Sequence, residues 1–118
     1  MTMQLLSVAS EVYPLVKTGG LADVVGALPA ALAAHGVATR TLVPGYPSVL
    51  KKLGKAKTVR RYEALFGERG AVLAAKVDGL DFLVLDAPAF FTRDGGPYGG
   101  PDGTDWSDNW RRFAALAR

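Results

Sequence analysis

Cysteine is absent from the 118 residues. That removes disulfides and thiolate metal ligands together, and it is compatible with a reducing compartment. Histidine occurs once, at position 35. With no cysteine and no nearby serine, His35 lacks a partner for nucleophilic catalysis, and beside Gly36 it reads as a helix-end residue. No apolar run reaches the roughly 20 residues of a membrane span. The first sixteen residues lack a basic stretch and contain Glu11, which argues against a secretory signal. An excess of one charge is missing too: 14 basic residues face 11 acidic ones, for a net charge of +3. Such a balance gives no ground for nucleic-acid binding. These absences point to a cytoplasmic protein with no membrane segment and no thiolate metal site, and neither a nucleic-acid partner nor a cofactor is expected.

What is present is enough apolar material for one core, 49% of residues in a chain near the common size of a single domain. The run QLLSVAS (4–10) suits a strand buried on both faces, and a loop of about ten residues follows, long for a βα connection. From Leu21, apolar positions at Val24, Val25, Leu28 and Leu32 keep helical spacing, with Pro29 expected to kink the helix and Gly36 to close it. VATRTLVP (37–44) reads as a second strand, so the chain opens as a right-handed βαβ unit in a parallel sheet. PSVLKKLG (47–54) reads as a short helix. KTVRRYEALF and AVLAAKV read as a hairpin around GERG, and LDFLVLDAP (80–88) as another buried strand. RDGGPYGGPDGTD is turn-forming. A last helix is expected from an N-cap at Ser107, burying Trp110, Phe113, Ala114 and Ala117. The chain stops inside that helix, so a piece of a longer protein is expected.

The stretch KTGGLAD (17–23) concentrates the chemistry. A helix N-terminus offers unpaired N–H groups and partial positive charge, glycines permit close approach, and Lys17 adds a full charge. The spacing matches neither the dinucleotide nor the P-loop fingerprint. Two readings stand at this level: a phosphate site, or a tight turn with a solvated lysine and with Asp23 complementing the helix dipole. The six cations Lys51, Lys52, Lys55, Lys57, Arg60 and Arg61 have Tyr62 as their one aromatic neighbour, and read as a solvated surface. Asp102, Asp105 and Asp108 recur at threes, which is not calcium-loop spacing, and read as turn and capping residues.

SEVYPLVKTGGLADVVGALPAAL resembles the N-terminal signature of bacterial glycogen synthases and plant starch synthases. TLVPGYP, LDAPAFFTRDGGPYGG and SDNWRRFAAL resemble the same family in the same order. The resemblance implies a GT-B fold, two Rossmann-like α/β domains facing a cleft, with residues 1–118 forming the first part of the N-terminal one. It implies retaining, metal-independent transfer of glucose from ADP-glucose to an α-1,4-glucan. By position it implies that Lys17 contacts the donor phosphates, that Gly19 and Gly20 bring amides to the donor, and that Asp23 and Tyr98 line the donor site. Ser10 and Glu11 would face the acceptor. The family's catalytic glutamate has no counterpart here, so no turnover is expected from these residues alone. A free-standing module that binds a phospholigand or glucan is the alternative.

Overall fold

The computed structural model describes residues 3–118. Five strands form one sheet in the order β1-β2-β5-β4-β3, where β1 is Met3–Val8, β2 Val37–Pro44, β3 Lys57–Leu65, β4 Glu68–Val77 and β5 Leu80–Asp86. β1 pairs parallel with β2, and β2 parallel with β5. The expected parallel α/β core is therefore present in three strands. It is extended by the expected β3–β4 hairpin, which runs antiparallel and makes the sheet mixed. The hairpin turn is Phe66-Gly67, both at positive φ, and β4 reaches β5 through Asp78-Gly79, also both at positive φ. Two-residue turns of that hand match the twist of the flanking strands.

Helix α1 (Gly20–Ala33) connects β1 to β2 and runs unbroken through Pro29, and Gly36 ends the connection at φ +78°. His35 contributes its backbone N–H to Leu32 O. Two short helices follow, α2 (Pro47–Lys52) and α3 (Pro88–Phe91), and α4 (Asn109–Ala117) closes the chain. The core is built from Val43, Phe82, Val84 and Leu85 on the central strands. Val12, Leu15, Phe90, Phe91, Ala115 and Leu116 pack against them.

Three expectations fail for physical reasons. β1 is not buried on both faces: it is an edge strand, and Met3, Leu5, Leu6 and Val8 are exposed. On α1 the apolar stripe is only partly used, with Val25 and Ala22 buried while Leu21 and Val24 face out. The last helix begins at Asn109, with Asp108 rather than Ser107 at the cap position, and the Asp108 side chain makes no capping bond. Its buried face is Arg112, Ala115 and Leu116, so Trp110 is 75% exposed and Ala117 is exposed, while Phe113 and Ala114 are half-buried. An arginine occupies a core-facing position there, and apolar periodicity cannot register that.

The buried Arg112 holds the long segment between α3 and α4. Its Nε donates to Phe90 O at 2.5 Å, and its Nη1 to Pro97 O at 2.9 Å and Asn109 Oδ1 at 2.8 Å. Its guanidinium lies over the rings of Phe91 and Phe113, and burial lowers its pKa. Arg93 adds a second clasp. It grips Asp108 with two bonds of 2.7 Å and stacks over Trp106.

Two outcomes follow. The Arg93 hydrogen bonds hold the Asp108 carboxyl below its ordinary pKa of 3.8. The clasp is thus complete above that value and is lost as pH falls through the lower folded one. With the exposed Trp110 replaced by Phe, Trp106 is the one remaining indole. Its emission is expected to hold steady from neutral pH down to about 4 and then shift to the red, whereas Asp108→Asn gives the shifted spectrum already at pH 7. A wild-type transition at higher pH, or an unshifted Asp108→Asn spectrum, contradicts the clasp. The second outcome concerns the open β1 edge and its apolar side chains, which favour pairing between copies. The isolated chain is expected to elute as a larger species. A monodisperse monomer with one sharp thermal transition rules that out.

The candidate donor site at the carboxyl end of the sheet

Residues 9–19 leave the carboxyl end of β1 and pack down before α1 begins. Val12 and Val16 form a small antiparallel bridge, with N···O distances of 3.0 and 2.9 Å. Val12 and Leu15 are fully buried. Lys52 on α2 donates to Pro14 O and Leu15 O, both at 3.1 Å, so this member of the basic cluster serves as a tether. Tyr13 N donates to Ala22 O at 3.0 Å, and the loop crosses α1 over Gly26. A Cβ at Gly26 would stand 2.4 Å from Tyr13 O, so this helical glycine is there for close approach of backbone.

The loop then meets Tyr98 from the segment before α4. Ser10 Oγ lies 2.6 Å from the Tyr98 hydroxyl. That hydroxyl donates to Glu11 Oε2 at 3.2 Å, and Thr18 Oγ1 donates to the same oxygen. Below them Tyr46 OH donates to Ser10 O at 2.7 Å. Desolvation raises the pKa of Tyr98, with the Glu11 charge contributing, and burial raises that of Tyr46 well above the ordinary value. Both phenols are therefore neutral donors.

Lys17, Gly19, Gly20 and Asp23 lie together at the N-terminus of α1. Lys17 Nζ is 2.7 Å from Asp23 Oδ2, in a pair whose side chains are about half exposed (48% and 53%). Gly19 is the extended N-cap of α1 and gives no side-chain cap, so the first-turn N–H groups have no side-chain acceptor there. A Cβ at Gly19 or at Gly20 would meet nothing within 4 Å. Neither residue has positive φ, so these glycines leave open space rather than relieve a strained turn.

The sequence-derived residues thus fall into two linked groups. Lys17, Gly20 and Asp23, all exposed, and the half-buried Gly19 form one. Ser10, Glu11 and Tyr98 form a partly buried one, in which Glu11 is 2% exposed. Sequence reasoning missed Thr18, Tyr46 and Gly26, and of these only Gly26, a glycine inside a helical pattern, carries a signal. A cleft of about 310 Å³ opens beside the loop, bordered by Val16, Tyr46, Ser48, Lys51, Arg93 and Pro97. A larger apolar groove of about 710 Å³ lies at the opposite end of the parallel strands, by Pro29, Ala33 and Thr39, away from these groups. Among the described residues no cluster of three or more His, Cys, Asp or Glu is arranged to hold a metal ion. No helix there is long and apolar enough to cross a membrane.

Residues 4–118 match the starch synthase catalytic domain family. Glycogen synthase 1 of Rhizobium meliloti is 70% identical over 115 residues, 98% of this chain. Glycogen synthase of Novosphingobium aromaticivorans is 58% identical over the whole chain. The chain spans 24% of the length of each. Among solved structures, the catalytic domain of starch synthase IV from Arabidopsis thaliana, bound to ADP and acarbose, superposes with a TM-score of 0.72 at 25% identity. That match covers 100% of this chain and 24% of that one. With a parallel core whose carboxyl end carries the loop and the Tyr98 contact, and with the family match running from residue 4 to residue 118, this chain belongs to the starch synthase catalytic domain family.

Proposed function

We propose that the chain forms the phosphate-facing part of the donor site of a glycogen synthase, which transfers glucose from ADP-glucose to an α-1,4-glucan with retention. The single observation that carries this reading is the open N-terminus of α1. An uncapped first turn, two glycines bordering empty space and the Lys17 ammonium all converge at the carboxyl end of β1. In open α/β sheets that end is where ligands bind. ADP leaves with negative charge building on its phosphates. A cation and oriented amides at that point stabilise the transition state more than the ground state. Asp23 holds Lys17 in the free state and is the group the phosphates displace. The ADP and acarbose bound to the Arabidopsis neighbour support a nucleotide-sugar donor and a glucan acceptor.

The test uses a chimera in which this chain replaces the matching quarter of the Rhizobium meliloti glycogen synthase 1. Loss of a charge-assisted hydrogen bond of roughly 1.5–3 kcal/mol corresponds to about a ten- to hundredfold fall in kcat/KM. For Lys17→Ala that fall is expected with ADP-glucose as the varied substrate, and the KM for glucan is expected to stay near wild type. Lys17→Arg is not expected to rescue it, because a planar fork does not replace a compact ammonium beside close backbone. Gly20→Val separates ligand crowding from folding damage. Its side chain enters open space, so the unfolding midpoint should hold while donor use falls. Unchanged donor dependence in Lys17→Ala refutes the phosphate site, and a Gly20→Val variant that unfolds without a donor defect favours a simple turn.

A further inference from the structure

Glu11 is an anomaly within this site. A carboxyl group buried to 2% exposure is costly unless its oxygens are bonded, and among the described residues no ion pair involves it. Its recorded partners are two hydroxyls from segments far apart in sequence, Thr18 and Tyr98, both directed at Oε2. Tyr98 donates to Glu11 Oε2, and each hydroxyl has one proton. The proton of Tyr98 therefore points at Glu11, and in the Ser10–Tyr98 contact Ser10 donates. Ser10 to Tyr98 to Glu11 is a chain with one direction, met from the other side by Thr18.

We propose that Glu11 is a positioning residue whose buried oxygen, by taking hydrogen bonds from Thr18 and Tyr98 together, fixes the register between the Lys17-bearing loop and the segment before α4. The proposal rests on the donor-site reading for its effect on catalysis. Thr18 sits between Lys17 and Gly19, so its hydroxyl is the nearest side-chain anchor to the ammonium and the open helix end. With its proton committed to Glu11, Thr18 has none to offer a phosphate, and the same holds for Tyr98. Both present lone pairs to an anion, which repel it. The phosphates are left to Lys17 and the amides of α1, and Glu11 defines where the attractive part of the site ends.

The experiment is a double-mutant cycle in the same chimera, with Thr18→Val and Tyr98→Phe, read both as kcat/KM for ADP-glucose and as the unfolding midpoint. Either single change leaves Glu11 one donor; together they leave it none. The combined loss is expected to exceed the product of the single losses by at least about twofold, and the excess is expected to vanish when Glu11 is alanine. Glu11→Gln, which keeps an accepting oxygen, is expected to restore most of what Glu11→Ala loses, about tenfold in donor kcat/KM, with the KM for glucan little changed. Simple multiplication of the two single effects with Glu11 present overturns the proposal, as does a Glu11→Gln defect equal to that of Glu11→Ala. Should Glu11→Ala fail to fold, the cycle in the native background and Glu11→Gln still decide. Coupling that persists in the unfolding midpoint while Lys17→Ala leaves donor use unchanged retains the clamp and rejects the donor site. The converse pattern rejects the clamp alone.

Discussion

The burial of one guanidinium organises the carboxyl end of this fold. Arg112 enters the core between Phe91 and Phe113 and takes acceptors from three points of the chain, Phe90, Pro97 and Asn109. A segment rich in glycine and proline has little apolar surface with which to order itself. Satisfying a buried cation with its carbonyls supplies the missing constraint. Tyr98 follows Pro97 directly, and its own carbonyl accepts from Trp106 N and Asn109 Nδ2, so the position of the phenol follows from how Arg112 is satisfied.

From that anchor the dependencies run outward. The phenol meets Ser10 and Glu11, which belong to a loop already fastened by Lys52, by the Val12–Val16 bridge and by its crossing over Gly26. The loop delivers Lys17 to the first turn of α1, where the Asp23 carboxylate receives it. Each contact is a modest hydrogen bond. Their joint effect is large in one respect: the exposed, charged end of α1 is tied to a buried frame through both of its flanks. Flexible side chains therefore stand on backbone that is not free to drift.

Much of this is legible in the sequence. The strands, the order of α1 and β2, the hairpin and the turn-rich segment follow from periodicity and punctuation. Helix-end electrostatics picks out Lys17, Gly19 and Gly20 as an anion site with a plain turn as the alternative, and the family resemblance adds Asp23 to the donor side. The burial of β1 was misjudged because an apolar run states what a strand tolerates and not what covers it. The face of α4 was misjudged because Arg112 is charged and yet core-facing. The contacts of Tyr98 lay beyond reach for another reason: residues 88 positions apart in sequence, Ser10 and Tyr98, meet only through the fold. Thr18 carries no signal of its own between Lys17 and Gly19, and its contact shows only with the fold that buries Glu11.

The pairing of Lys17 with Asp23 has a consequence for discrimination among anions. A bare ammonium beside a helix end attracts any small anion, chloride and inorganic phosphate included. Here the ammonium already has a carboxylate at 2.7 Å, and an incoming group must outcompete it. A monovalent ion gains little from that exchange, while two linked phosphates reaching the amides of α1 as well gain much more. On the donor-site reading proposed above, this half-exposed pair, worth about 0–1 kcal/mol, sets a small threshold that a multiply charged ligand clears more readily than a monovalent one.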